Sequence, residues 1–186
     1  MVKHVPSPSG PRVRYWVNEL PAIPPQDAVV ARFALKAEAE YALWLRTAAV
    51  EVSAPDADGP YALLGADFAP SPDGFRVEIA AAVTPGAPFD DASEAGASGS
   101  VLGGLLPEFT PGAAQGMLEY LHGVQHLPRL RVSCHTAAHH TPGSSHDAFV
   151  AAGRLLMELI VTGDIQSSPD PTRPPETATQ DQSPKP

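Results

Sequence analysis

An α+β fold, with a sheet of four strands or more backed on one face by two helices, is predicted by the order of apolar patterns along this chain. Three observations carry that prediction. Five stretches alternate apolar with polar residues, or run apolar between turn signals, before any clear helix signal occurs. Two later segments carry cap residues and an apolar stripe at helical spacing, and one more alternating stretch separates them. The 186 residues are 43% hydrophobic, enough to bury one good core.

The first strand is read in "VRYWVNEL", Val13 to Leu20, and Pro21, Pro24 and Pro25 stop it. The following "VVARFALKAEAEYALWLRTAAVEVSAP" is ambiguous. Val30, Phe33, Ala37, Tyr41 and Trp44 fall near helical spacing, yet Phe33, Leu35, Ala37, Ala39 and Tyr41 alternate with Lys36, Glu38 and Glu40. We read two strands with a turn near Glu38 to Glu40. "YALLGADF" and "FRVEIAAAV" follow as strands, separated by the turn "APSPDG"; in the second, Val77 and Ile79 face one way and Arg76 and Glu78 the other. "TPGAPFDDASEAGASGS" has no period and reads as a loop insertion.

The helices are plainer. "FTPGAAQGMLEYLHG" offers Thr110 as N-cap, Pro111 at the first helical position, Gly123 just past the end, and Met117, Leu118 and Leu121 as an apolar stripe. In "SSHDAFVAAGRLLMELIVTGD", Ser144 and Asp147 stand at capping-box spacing, and Phe149, Ala152, Leu156, Leu159 and Ile160 line one face. Between them "LRVSCHTAA" reads as a strand with Leu130, Val132 and Cys134 inward. This gives a proline-rich flexible lead over 1–11, one domain over 12–163 with a low-complexity insertion at 84–100, and a disordered tail over 164–186. The tail has no hydrophobic period, and burial cannot offset its ordering entropy. Twelve of the 22 prolines lie in Met1 to Pro25 and Gln166 to Pro186, against a usual share of ~5%.

The net charge is −9. From Asp164 onward four acids and two bases contribute −2, so the body carries −7. An acidic body disfavours a long phosphate backbone and an anionic membrane surface, since such binding needs Lys and Arg to release counterions. A single cysteine excludes an internal disulfide and a multi-cysteine zinc site. No signal-peptide core or apolar run of ~20 residues occurs, so a cytoplasmic protein is expected.

"HTAAHHTPGSSHDAF", His135 to Phe149, is the stretch with the most chemistry. His135, His139, His140 and His146 with Cys134 could ligate a metal, but no HExxH, CxxC or HxxxH-on-helix pattern organises them. His122 and His126 sit four apart where the helix is ending. Neighbouring His139 and His140 on extended chain point opposite ways. Ser144 and Ser145 near His146 evoke a nucleophile and base, yet GxSxG is absent and Ser144 already serves as helix cap. None of the three lysines belongs to a GxxxxGK[ST] loop, so GTP binding by a P-loop is not expected. We expect no catalytic residue, no metal and no cofactor.

From Val101 onward the chain resembles domain IV of translation elongation factor G. "GGLLPEFTPGAAQGMLEYLHG" is similar to the family's G-G-V-I-P-K-E-Y and its glycine-ended helix, and "LPRLRVSCHTAAHHTPGSSHDAFVAAG" to its strand, loop and helix. The second match needs no gap from His135 to Ala152: His140 falls on the family's loop histidine, Ser144 and Ser145 on its paired serines, Ala148 and Phe149 on its A-F. Upstream, "VRYWVNEL", "AEAEYALWLRTAAVEVSAP" and "GFRVEIAAAV" resemble the family's earlier strands; a competing placement sets "DGPYALLGADFAPSP" on the second of these. The resemblance covers roughly Arg12 to Gly163. It implies a four-stranded sheet, two helices and a left-handed βαβ crossover, an exception to the usual hand. It also implies a two-loop tip that, in the elongation factor, enters the decoding site of the small ribosomal subunit. Departures in both loops weaken the functional part. On the favoured placement the basic first loop is "KAEAEY", with Glu38 and Glu40; on the other it is "DADGPY", also without a base. In the second loop the family's glycine, tyrosine and aspartate are Ala137, His139 and Gly143.

The reading is therefore a stand-alone, non-enzymatic domain IV-like protein. In its first form it is a ribosome- or RNA-associated accessory module, with His139, His140 and Thr141 exposed at the tip beside Glu38 and Glu40, and with Ser144 and Ser145 capping the helix. In its alternative form it is a protein-interaction module that kept the fold and lost RNA binding. A third reading, a histidine-rich metal protein or enzyme, rests on the histidines alone. The partners expected are the small ribosomal subunit or a protein, with no GTP and no membrane.

Overall fold

The computed structural model describes residues 2–5, 11–39, 45–54, 59–82, 84–89 and 101–162. Eight strands and two helices follow in the order β1 (Val2–Val5), β2 (Arg12–Val17), β3 (Val29–Leu35), β4 (Thr47–Ser53), β5 (Tyr61–Pro70), β6 (Phe75–Ala80), β7 (Val101–Gly103), α1 (Thr110–His122), β8 (Leu130–His140) and α2 (His146–Thr162). The strands form one mixed sheet in the order β1-β2-β4-β5-β8-β6-β3, with β7 also paired to β8. All pairs are antiparallel except β6 with β8, which are parallel neighbours joined through β7 and α1. Residues 131–134 of β8 pair with β6 and residues 138–140 with β7, so those two strands share one edge of β8 while β5 takes the other.

Strand alternation divides the side chains between two faces. One face packs against the helices. Its core includes Val50 and Val52 of β4, Leu64 of β5, Val77 and Ile79 of β6, and Val132 and Cys134 of β8, against Met117, Leu121, Phe149, Leu156 and Ile160. The inward residues expected in the second helix, in "FRVEIAAAV" and in "LRVSCHTAA" are all buried there. The opposite face carries a second, smaller cluster of Trp16, Ala49, Tyr61, Leu63, Val101 and Ala138, covered by Leu20, Ile23 and Phe89. The sequence reading had no place for this second core.

Four expectations need correcting. The lead expected to be flexible over 1–11 contains β1, paired antiparallel with β2. The two strands read on either side of Glu38 to Glu40 exist but are not partners: β3 pairs with β6, and β4 lies between β2 and β5. Burial explains the separation. All of β4 after Thr47 is buried, which needs a central place, whereas β3 alternates between exposed and half-buried residues and suits an edge. Thr110 is not a side-chain cap. A 3-10 turn over Pro107–Phe109 precedes α1, Thr110 N–H donates to the Pro107 carbonyl, and the Thr110 hydroxyl is buried without a partner. Within the segment read as an insertion, Phe89 N–H donates to the Val101 carbonyl and the Phe89 ring joins the second core. The tail over 164–186 lies outside the described residues.

Candidate functional site

The strand expected to end near Ala138 runs on to His140, so the stretch read as a histidine loop is mostly extended chain. Alternation then turns the neighbouring histidines to opposite faces, as their spacing predicts. His139 faces the helices: its Nδ1 lies 2.8 Å from the Gly104 carbonyl, and its ring tilts against Phe109, which stacks on Phe149. His140 faces the second core, edge-on to Tyr61 at 6.1 Å. Both are buried, at 2% and 1% exposure, so the expectation that they stand exposed at the tip is overturned. The cause is non-local: each face of β8 is covered by segments distant in sequence.

Thr141 is the exposed residue of the turn, followed by exposed Pro142. Ser144 closes this turn. Its Oγ accepts from His140 N–H at 2.9 Å and donates to the Tyr61 carbonyl at 2.8 Å. Helix capping falls to Ser145 instead, whose Oγ accepts from Ala148 N–H at 3.2 Å. Moving the cap by one residue puts Ala148, not Asp147, at the capping-box position, so of the two serines only Ser145 caps.

The second loop at this end is the β4–β5 turn. Tyr61 N–H donates to the Gly143 carbonyl, and a side chain on Gly143 would run into the Gly59 carbonyl. The neighbour of the histidine turn is thus Gly59 to Tyr61, the described end of the "DADGPY" stretch of the competing placement. Glu38 lies at the other end of β8. Ala39 bridges to Pro128, Arg129 N–H donates to the Ala39 carbonyl, and Glu38 is exposed and paired with Lys36. More than about 30 Å of strand separates that end from His140. Glu38 therefore does not belong to the tip, and Glu40 lies outside the described residues. The "KAEAEY" placement failed because alternation gave no information on which strand ends meet.

Beneath the tip lies a polar group that the sequence reading missed. Arg14 Nε donates to Glu51 Oε2 at 2.7 Å, and Tyr61 Oη donates to Glu51 Oε1 at 2.9 Å. The Arg14 guanidinium lies 4.2 Å over the Trp16 ring. Arg14, Glu51, Tyr61 and His140 are all buried, and among the described residues neither ring nitrogen of His140 has a hydrogen-bond partner. The available signal was a charge in the middle of each of two apolar strands, "VRYWV" and "AAVEVS". Register makes Arg14 and Glu51 direct cross-strand partners.

The remaining histidines are scattered. His135 Nε2 lies 2.9 Å from Asp67 Oδ2, on a β-bulge where β8 carries one residue more than β5. His146 Nε2 lies 3.0 Å from Gln115 Oε1 on the helix side. Among the described residues no three His, Cys, Asp or Glu side chains gather as a metal set. Burial pushes the Cys134 thiol up to about 12, which leaves it without nucleophilic character at neutral pH. No described helix is long and apolar enough to cross a membrane. No family model, no curated protein and no solved structure matches this chain.

Proposed function

We propose that this chain is a non-enzymatic, protein-binding module built on a domain IV-like scaffold, with the β6–α1–β8 connection as its left-handed crossover. The supporting observation is the tip itself. The two histidines that a ribosomal or RNA contact would use are turned into the two cores. Gly59 and Gly143 approach each other there, and the sequence segments that hold them, 54–60 and 141–147, contain no Lys or Arg. Two segments without Lys or Arg, on a chain of net charge −9, leave exposed Arg12 beside Ser53 as the cation of this end among the described residues, too little to hold phosphate, whereas exposed Thr141 and Pro142 suit a protein surface. The scaffold is supported by the ungapped strand–loop–helix pattern from His135 to Ala152 and by two helices packed over a face that includes β4, β5, β8 and β6.

A photocrosslinking amino acid at Thr141, introduced in cells, tests this reading. The expected product is a discrete adduct that survives ribonuclease and is destroyed by protease. An adduct that nuclease collapses to the mass of the free chain would overturn the reading in favour of RNA.

A further inference from the structure

Among the described residues, the outer sheet face is covered in its tip half by Leu20, Ile23 and Phe89. Past the bulge at His135 the same face opens to solvent, and register places Arg32, Glu78, Ser133 and Asp67 in one row across β3, β6, β8 and β5. The next row is Ala34, Arg76, Arg131 and Ala69. Arg76 and Arg131 are therefore cross-strand neighbours of like charge, an arrangement that costs stability unless an anion meets it. Arg76 pairs with Asp73, and Arg32 with Glu78. Arg131, exposed on β8 between Arg76 and Ala69, has no ion pair among the described residues.

We propose that this open half-face docks an extended acidic segment of a partner protein across Arg131 and Arg76, a proposal that rests on the protein-binding reading above. Alanines flank the two arginines and Ser133 follows Arg131 on the same face, so the floor is flat enough for a peptide backbone to lie on the sheet. Alternate side chains of an extended peptide stand ~7 Å apart on one side, while Arg76 and Arg131 rise from strands ~4.8 Å apart, a difference that their long side chains can span to meet successive carboxylates. A nucleic acid fits this face poorly. No aromatic ring stands at these register positions to stack a base, and two neighbouring arginines in one row suit a short pair of carboxylates rather than a long phosphate track.

The test is fluorescence anisotropy of the full chain against three labelled ten-residue probes at low salt: a peptide alternating glutamate with serine, its lysine counterpart, and a single-stranded RNA. The acidic peptide alone is expected to bind. Its affinity should fall at least ~10-fold in the Arg76→Glu/Arg131→Glu variant and on raising salt from about 50 to about 300 mM, while Arg12→Glu leaves it unchanged. Circular dichroism confirms that the surface variants fold. No binding, equal binding by the double variant, or binding of RNA in preference to the acidic peptide overturns the proposal. A protein adduct at Thr141 together with failure here would remove this face alone. Failure at Thr141 would remove the reading it rests on.

Discussion

Glu51 is held at 1% exposure by two donors, Arg14 and Tyr61, and the price of that burial sets what substitution does there. Removing Arg14 leaves the buried Glu51 carboxylate with the Tyr61 hydroxyl but without its counter-charge. Arg14→Met is expected to cost about 3–5 kcal/mol, and adding Glu51→Leu to recover most of it, because an apolar pair of similar volume needs no counter-charge. Urea denaturation of both variants measures this; a double variant no more stable than the single would mean that the pair is not the source of the cost. Little of this group was legible. A lone charge between apolar neighbours reads as a solvent-facing position, and only the cover from Leu20, Ile23 and Phe89 reveals a second interior. The opposed directions of His139 and His140 were legible, since alternation is local. Their burial was not, since it depends on segments far away in sequence.

At the scale of elements, the two helices meet through small residues. A side chain on Gly116 would strike the Val150 carbonyl, and one on Gly153 the Ala113 carbonyl, so backbone packs against backbone where α1 crosses α2. Gly116→Ala gains helix propensity yet must push the helices apart. It is expected to destabilise the fold by roughly 1–3 kcal/mol or more, read as a lower urea midpoint; an unchanged or higher midpoint would mean that the helices separate freely. The second helix was legible from its apolar stripe and the first from Gly123, which ends α1; Leu118, read into the α1 stripe, is half-buried, and Gly112, Ala113 and Gly116 complete the buried face with Met117 and Leu121. Their starts were less so. The turn over Pro107–Phe109 supplied what Thr110 was expected to supply, and one residue of register moved the cap of α2 from Ser144 to Ser145. Strand existence was legible for the same local reason, while pairing was not, as the separation of β3 from β4 illustrates.

For the whole molecule, the α+β class with both helices over one sheet face followed from the sequence, and the eight-strand order and second core did not. Those depend on which strands need cover on both faces, a property of the assembled sheet. The central claim concerns what this assembly does with its tip: it turns the histidines inward, and the segments 54–60 and 141–147 that join there hold no Lys or Arg. Co-sedimentation of the purified chain with ribosomes and separated subunits of its own organism, across a salt series, addresses that most directly. The account predicts no association even at low salt, where attraction to phosphate is strongest. Association with the small subunit that weakens with salt and with Thr141→Glu would contradict it.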